Sequence, residues 1–229
     1  MLNYLIIITT SLMTFLAFNL GVFSLWRNPK ARVVQLWFLT SMAVTVWGIG
    51  YLLAINAQSD AESFFYLRRL VYVGASLIPI FSFHFIAAFL FKHIKYKSLI
   101  FFGYILGLIF LILINFTNFI IKGVQYLENF GRYEEVANFG FKLFLIYFLF
   151  FAFFGFYLLL IGYKENDGIR KRQIFYFILA HTFGFLGGIS NFITDLNGIY
   201  PYGQMIVWLY PIFVTYGIFI NEIKIKIKF

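Results

Sequence analysis

Cysteine is absent from the 229 residues, and charged side chains make up only 12% of them. Without cysteine the chain has no disulfides, no thiolate metal sites and no cysteine nucleophile. The few charges are also segregated, because seven long apolar stretches contain no Asp, Glu, Lys or Arg. Proton pumps, ion-coupled transporters and intramembrane aspartyl proteases need ionisable groups at membrane depth. The sequence therefore argues against these classes.

Patterns that mark an active site are also missing. The sequence contains no H-E-x-x-H, no P-loop and no kinase glycine-rich loop. Ser82 and His84 are two residues apart, so on a helix they point to different faces and form no nucleophile–base pair. We predict that the chain is not an enzyme and has no cofactor and no metal site.

Hydrophobic residues, at 62%, dominate what is present. A helix needs about 20 mostly apolar residues to span a bilayer. Seven stretches meet this length, at about 4–26, 33–57, 70–91, 98–121, 143–163, 173–194 and 203–221. They predict an all-α membrane protein, one seven-transmembrane helix bundle forming a single domain over 1–229. We expect a multi-pass protein of the bacterial inner membrane, with the lipid bilayer as its constant partner.

Lysine and arginine predict the orientation of this bundle. The odd-numbered connections and the tail at 222–229 carry thirteen of these residues, and the other connections carry five. The N-terminus is therefore predicted outside and the basic C-terminal tail in the cytoplasm. This asymmetry accounts for the net charge of +9, so no nucleic-acid partner is needed.

The sixth stretch contains "GFLGGISNFITD", which is unusually small and polar for a membrane helix. Its small and polar residues share an arc of about 100° on a helix. They are Ala180, Gly184, Gly187, Gly188, Asn191 and Asp195. The first four predict a seam that packs against a neighbouring helix. Asn191 and Asp195 would then lie at the mouth of the bundle. The alternative is that the seam is purely structural and that Asp195 lies among lipid headgroups.

Few polar or amphipathic side chains lie near the bundle interior, so each is a candidate for a ligand pocket. The candidates are Trp47, His84, Asn191, Asp195, Tyr200 and Trp208. For His84 the alternative is a hydrogen-bonded packing role. Pro79 and Pro211 fall inside the third and seventh stretches and are candidate hinges. The long connection "KGVQYLENFGRYEEVANFGFK" is expected to lie over the bundle mouth or to form a surface loop with aromatic anchors.

Three stretches together carry a resemblance to a known family. "RRLVYVGASLIPIFSFHF", "GIRKRQIFYFILAHTFGFLGG" and "GIYPYGQ" resemble the N-terminal seven-transmembrane region of bacterial histidine kinases, which is also found ahead of diguanylate cyclases. The resemblance implies a sensory input that passes a signal to a cytoplasmic output domain. No phospho-acceptor histidine motif and no GGDEF-like loop occurs in this sequence, so we expect an input region without its own output domain.

These observations leave three functions open. The leading hypothesis is a signal-input module that binds a small molecule or a lipid and acts on a kinase or cyclase output partner, or within a homodimer. The second is a structural or assembly-partner membrane protein. The third is a facilitative carrier for a neutral solute, which needs no charges within the membrane.

Overall fold

The computed structural model describes the backbone of residues 2–128, 130–197 and 200–226, and no side chains of residues 2–3, 186, 193–197 and 221–226. Most of the described chain is helical. The helices are α1 (Leu2–Arg27), α2 (Arg32–Ile55), α3 (Asp60–Tyr66), α4 (Tyr72–Phe89), α5 (Lys97–Phe116), α6 (Phe139–Glu165), α7 (Gly168–Asn197) and α8 (Leu209–Lys226). A π-helical turn at Leu67–Val71 joins α3 to α4, and a 3₁₀ turn at Tyr202–Ile206 precedes α8.

Six described helices are long and apolar enough to cross a membrane, counting α3, the π-turn and α4 as one span at Asp60–Phe89. In α8 the apolar part is shorter, at Leu209–Ile220. Large apolar side chains point outward from the bundle, among them Phe101, Ile146 and Phe153, which are 67%, 64% and 60% exposed. A surface of this kind is stable in lipid and not in water. The prediction of an all-α membrane bundle is confirmed.

The third span begins at Asp60, whereas the positions of the charged residues in the sequence predicted that it starts near residue 70. Ser59 caps this helix, because its side chain accepts a hydrogen bond from the Glu62 N–H. Arg68 is accommodated because its Nε donates to the Ile114 carbonyl over 2.7 Å. The end of α5 thus supplies the acceptor that lets a charged side chain stay within the helix.

The last span differs from its prediction in a way that changes the role of a proline. The stretch predicted at 203–221 begins as the 3₁₀ turn, and α8 starts at Leu209. Pro211 therefore lies in the first turn of α8, where backbone N–H groups have no partner within the helix. The missing N–H of proline removes no helix hydrogen bond at this position. The prediction of a mid-span hinge at Pro211 is wrong for this reason. Pro79 does lie inside a helix, α4.

A β-hairpin was not anticipated in the long connection between α5 and α6. Its strands, β1 (Ile121–Leu127) and β2 (Arg132–Ala137), are antiparallel, with Leu127 paired to Arg132. Gly131 in the turn has a φ of 62°, which glycine adopts without strain. The hairpin packs on α2, α3 and α7. We call this side of the bundle the hairpin end, and the opposite side, where Lys92 and Glu165 form an ion pair, the basic end.

Candidate functional site

Two adjoining cavities lie beneath the hairpin, and we call them the apolar chamber and the acidic chamber. The apolar chamber measures about 70 Å³ and the acidic chamber about 20 Å³. A single water needs roughly 10–15 Å³ of such space. The apolar chamber is lined by residues of six helices, including Met13, Val44, Trp47, Phe148, Asn191 and Tyr210. The acidic chamber is lined by residues that include Trp47, Tyr51, Tyr72, Glu134, Glu135 and Asn191. Trp47 and Asn191 thus lie at the boundary between the two.

One carboxylate of the acidic chamber is tied to a membrane helix. The Tyr72 hydroxyl donates to Glu135 Oε1 over 2.6 Å. Tyr72 is 1% exposed and Glu135 is 8% exposed, so this bond is sheltered from solvent. A short hydrogen bond to an ionised acceptor is stronger than a neutral one. The contact fixes the position of β2 over the start of α4.

The second carboxylate is paired within the strand. Arg132 and Glu134 are two residues apart on β2, and Arg132 Nε donates to Glu134 Oε1 over 2.6 Å. The Arg132 guanidinium also lies over three aromatic rings, at 5.8 Å from Tyr51, 5.4 Å from Phe130 and 5.9 Å from Tyr200. This cage shields the positive charge by cation–π contacts.

Burial perturbs the acid–base behaviour of this pair. Burial raises the pKa of Glu134 to about 7, against the opposing charge of Arg132 and with a further contribution from Glu135. The pKa of Arg132 is raised, although burial lowers it, because Tyr51 and Glu134 favour the charged form. With both carboxylates ionised, the buried group of Arg132, Glu134 and Glu135 has one negative charge in excess.

A chain of amides fixes Asn191 at the boundary of the chambers. Asn191 Nδ2 donates to Gln204 Oε1 over 3.0 Å, and Gln204 Nε2 donates to Thr10 Oγ1 over 3.0 Å. Gln204 and Thr10 are both fully buried. Because both amide groups donate in the same direction, Asn191 presents its Oδ1 as an acceptor, and this buried atom has no hydrogen-bond partner among the described residues.

The predicted glycine seam divides into two parts. A β-carbon at Gly184 would lie 2.6 Å from the Tyr210 ring, and one at Gly187 would overlap Val207. These two glycines therefore allow the segment around the start of α8 to approach α7, as the small-residue pattern predicted. A β-carbon at Gly188 would meet only Phe148, at 3.8 Å, and Gly188 lines the apolar chamber. Ala180 is buried.

Of the remaining pocket candidates, two do not line the chambers and one has a side chain that the structure does not describe. His84 does not line either chamber; its Nε2 lies 3.3 Å from an Arg32 Nη, and its Nδ1 lies 2.8 Å from the Tyr104 hydroxyl. The packing alternative fits His84 better, because Arg32 at the start of α2 and Tyr104 on α5 occupy both ring nitrogens. Trp208 lies beside the chambers, between Val207 and Leu209, without lining them. The side chain of Asp195 is outside the described residues.

Several buried polar residues of the site were not identified as candidates from the sequence, among them Arg132, Glu134, Glu135 and Gln204. Arg132 and the glutamates lie on a connection between spans, where charge is expected to face water. The segment "RYEEVA" could have indicated this pairing, because Arg132 and Glu134 are two residues apart and would lie on the same face of a strand. In the part of the chain that the structure describes, no group of three His, Asp or Glu residues could hold a metal ion.

The comparison with known proteins identifies the family of this bundle. The family described as "N-terminal 7TM region of histidine kinase" matches residues 9–223, so the chain belongs to it. The match covers nearly the whole chain and confirms the resemblance seen in the sequence. No curated protein matches the chain.

Proposed function

We propose that this member of the histidine kinase N-terminal 7TM family is a sensory input region that receives its signal at the hairpin end and conveys it through α8. In this proposal the hairpin end faces outward and the basic end faces the cytoplasm, as the lysine and arginine distribution predicts. The input modulates a kinase or cyclase output in cis or in trans.

The observation that carries the proposal is that α8 helps to build the cavity. Val207, just before α8, and Tyr210, in its first turn, line the apolar chamber together with Trp47 of α2 and Asn191 of α7. Any molecule that fills this chamber therefore contacts the helix that leads to the basic end. A ligand shifts a two-state equilibrium only if it binds the two states unequally. Gly184 and Tyr210 approach closely and both line the chamber, so in this proposal a shift of α8 relative to α7 changes the shape of the cavity that a ligand contacts.

A chimaera tests the proposal. The catalytic region of a histidine kinase is joined after α8, and its autophosphorylation is measured in inverted membrane vesicles. Gly188→Leu places a side chain in the apolar chamber, so we expect it to change autophosphorylation by severalfold. Ser11→Leu, on an exposed position of α1, is the control and should leave the rate unchanged.

The opposite outcome favours the structural alternative. If Gly188→Leu is folded in the membrane and autophosphorylates at the wild-type rate, filling the chamber does not reach the output, and the bundle acts as an assembly partner. A reporter enzyme fused after α8 tests the orientation separately, and activity only on the outer side of the membrane would overturn it.

A further inference from the structure

We propose that the two chambers together bind a single-chain amphiphile with a protonated amine, its ammonium group in the acidic chamber and its hydrocarbon chain in the apolar chamber. The inference names a ligand class for the site of the proposed function and depends on that function only for the consequence of binding. Three features of the described residues lead to it.

The first feature is the hydrogen-bonding character of the polar atoms. Glu134 and Glu135 are buried on the acidic chamber, and ionised carboxylates can only accept hydrogen bonds. Asn191 adds a third acceptor, because Gln204 holds its amide nitrogen and leaves the buried Oδ1 without a partner among the described residues. Each glutamate already accepts one hydrogen bond, Glu134 from Arg132 and Glu135 from Tyr72, so a ligand group that reaches their remaining lone pairs and Asn191 Oδ1 must be a donor. An ammonium group has three N–H donors and no acceptor.

The second feature is the charge. Two buried carboxylates face one arginine, so the acidic chamber favours a positive charge and disfavours an anion. The walls favour the same ligand. Trp47 and Tyr51 stack with ring centroids 5.5 Å apart and an interplanar angle of 14°, and both line the acidic chamber. Aromatic faces attract cations that have lost water.

The third feature is an apolar groove that lies between the apolar chamber and the lipid. The wall of the apolar chamber includes Phe185, which also lines a groove of about 120 Å³ between α6 and α7. Phe153 lines the groove and is 60% exposed, so the groove opens on the lipid-facing surface. Among the described residues Phe185 is the one that lines both the chamber and the groove, and its ring, packed against Phe148 and His181, is the wall between them. In this proposal the hydrocarbon chain displaces the Phe185 ring to reach the groove, and the bilayer supplies the ligand.

Quenching of Trp47 fluorescence tests the ligand class in the complete chain, held in phosphatidylcholine nanodiscs. The probe is dodecylamine with bromine at the end of its chain. We expect saturable quenching that is lost in Trp47→Phe. The comparison ligands are ω-bromododecanoic acid, which carries the opposite charge, and butylamine as an unbrominated competitor without a long chain. Neither should bind at the concentrations at which the bromoamine saturates.

Glutamine substitutions test the residues. Glu134→Gln together with Glu135→Gln keeps the shape of the side chains, and we expect affinity for the bromoamine to fall about tenfold or more, because the hydrogen bonds to charged acceptors are lost. Glu128→Gln makes the same change at an exposed position of the hairpin turn and should bind as wild type does. Gly188→Leu should also weaken binding, through the chamber that holds the hydrocarbon chain. Equal affinity for amine and acid, or for wild type and the double variant, would overturn the inference.

One further ligand separates two sources of the amine. Lysophosphatidylethanolamine has the same ammonium and a single chain but adds a phosphate. Stronger competition by this lipid would identify a lipid headgroup as the ligand, stronger competition by dodecylamine would identify a free amine, and competition by neither would contradict the inference.

Failure of the ligand class and failure of the proposed function give different results. If the amine binds but autophosphorylation of the chimaera does not respond to it or to Gly188→Leu, the ligand class holds and the sensory role is lost. If the amine does not bind while Gly188→Leu still changes autophosphorylation, the sensory role holds and the ligand belongs to another class.

Discussion

The amide of Asn191 donates to Gln204 Oε1 over 3.0 Å, and this bond orients the free oxygen of Asn191 toward the junction of the two chambers. The two residues come from different elements, since Asn191 lies on α7 and Gln204 in the 3₁₀ turn before α8. One hydrogen bond thus couples the proposed ligand site to the segment that leads into α8.

The first prediction concerns this bond. Asn191→Leu leaves the fully buried Gln204 without its donor, so we expect a loss of about 1–3 kcal/mol in the free energy of unfolding. Chemical denaturation in detergent measures it. Asn19→Leu is the control, because Asn19 is exposed and its amide bonds only to the Phe15 carbonyl of its own helix. Equal stability of the two variants would show that the amide chain contributes nothing.

The second prediction separates the glycines of α7. Gly187→Ala should destabilise the bundle by about 1–3 kcal/mol, because the added carbon overlaps Val207 and lies 2.9 Å from the Gly203 carbonyl oxygen. Gly188→Ala should be neutral or stabilising, because its added carbon meets only Phe148 at an ordinary contact distance. Thermal unfolding of both variants in the same detergent tests this prediction. If Gly188→Ala is less stable than Gly187→Ala, the close contact lies at Gly188 and the prediction is wrong.

The third prediction concerns His84. Arg32 can only donate, so Nε2 of His84 must accept and Nδ1 must carry the proton that is donated to Tyr104. Tyr104→Phe would leave this partly buried N–H without its acceptor, and we expect a loss of about 1–3 kcal/mol. Tyr157→Phe, at a position 54% exposed on the outside of the bundle, should cost much less. A ¹⁵N spectrum showing the proton on Nε2 would contradict the assignment.

The fourth prediction is a pH dependence of amine binding. Glu134 must be ionised to bind an ammonium group, and its pKa is raised to about 7 by burial. Affinity for dodecylamine should therefore rise with pH through about 7 and be roughly tenfold lower near pH 5.5 than near pH 7.5. The ligand itself stays charged, since alkylammonium groups resemble Lys, with a pKa of about 10.4.

The groups around Glu134 determine how this dependence is tested. Arg132 and Glu135 on β2 and Tyr200 after α7 interact with its charge, while Tyr51 of α2 and Tyr72 of α4 line the same chamber. Glu134→Gln should flatten the dependence between about pH 5.5 and about pH 7.5, because it removes the group whose pKa is raised to about 7. An unchanged slope in this variant would show that Glu134 does not control binding.

The amino-acid sequence by itself determined the class of fold. An apolar stretch of membrane length is stable in lipid as a helix, because a helix satisfies its backbone hydrogen bonds internally. The bundle could therefore be predicted from the local pattern of residues, and the family resemblance from three short segments. Spacing along a helix also showed that Ala180, Gly184, Gly187 and Gly188 share one face, whereas the close contacts at Gly184 and Gly187, and the open space at Gly188, depend on the neighbouring elements. Trp47 and Asn191 could be named for the pocket because polar and amphipathic side chains are scarce within the spans.

Only the tertiary structure decided which residues complete the site. Glu134, Glu135 and Arg132 belong to a connection whose charges suggested exposure, and they are buried because the strand pairing of the hairpin brings them down onto Tyr51 and Tyr72, more than sixty residues earlier in the chain. Pro211 and His84 changed roles for a similar reason. A helix start and a ring partner on another helix are set by contacts between distant segments, and the local pattern of residues carries no information about those contacts.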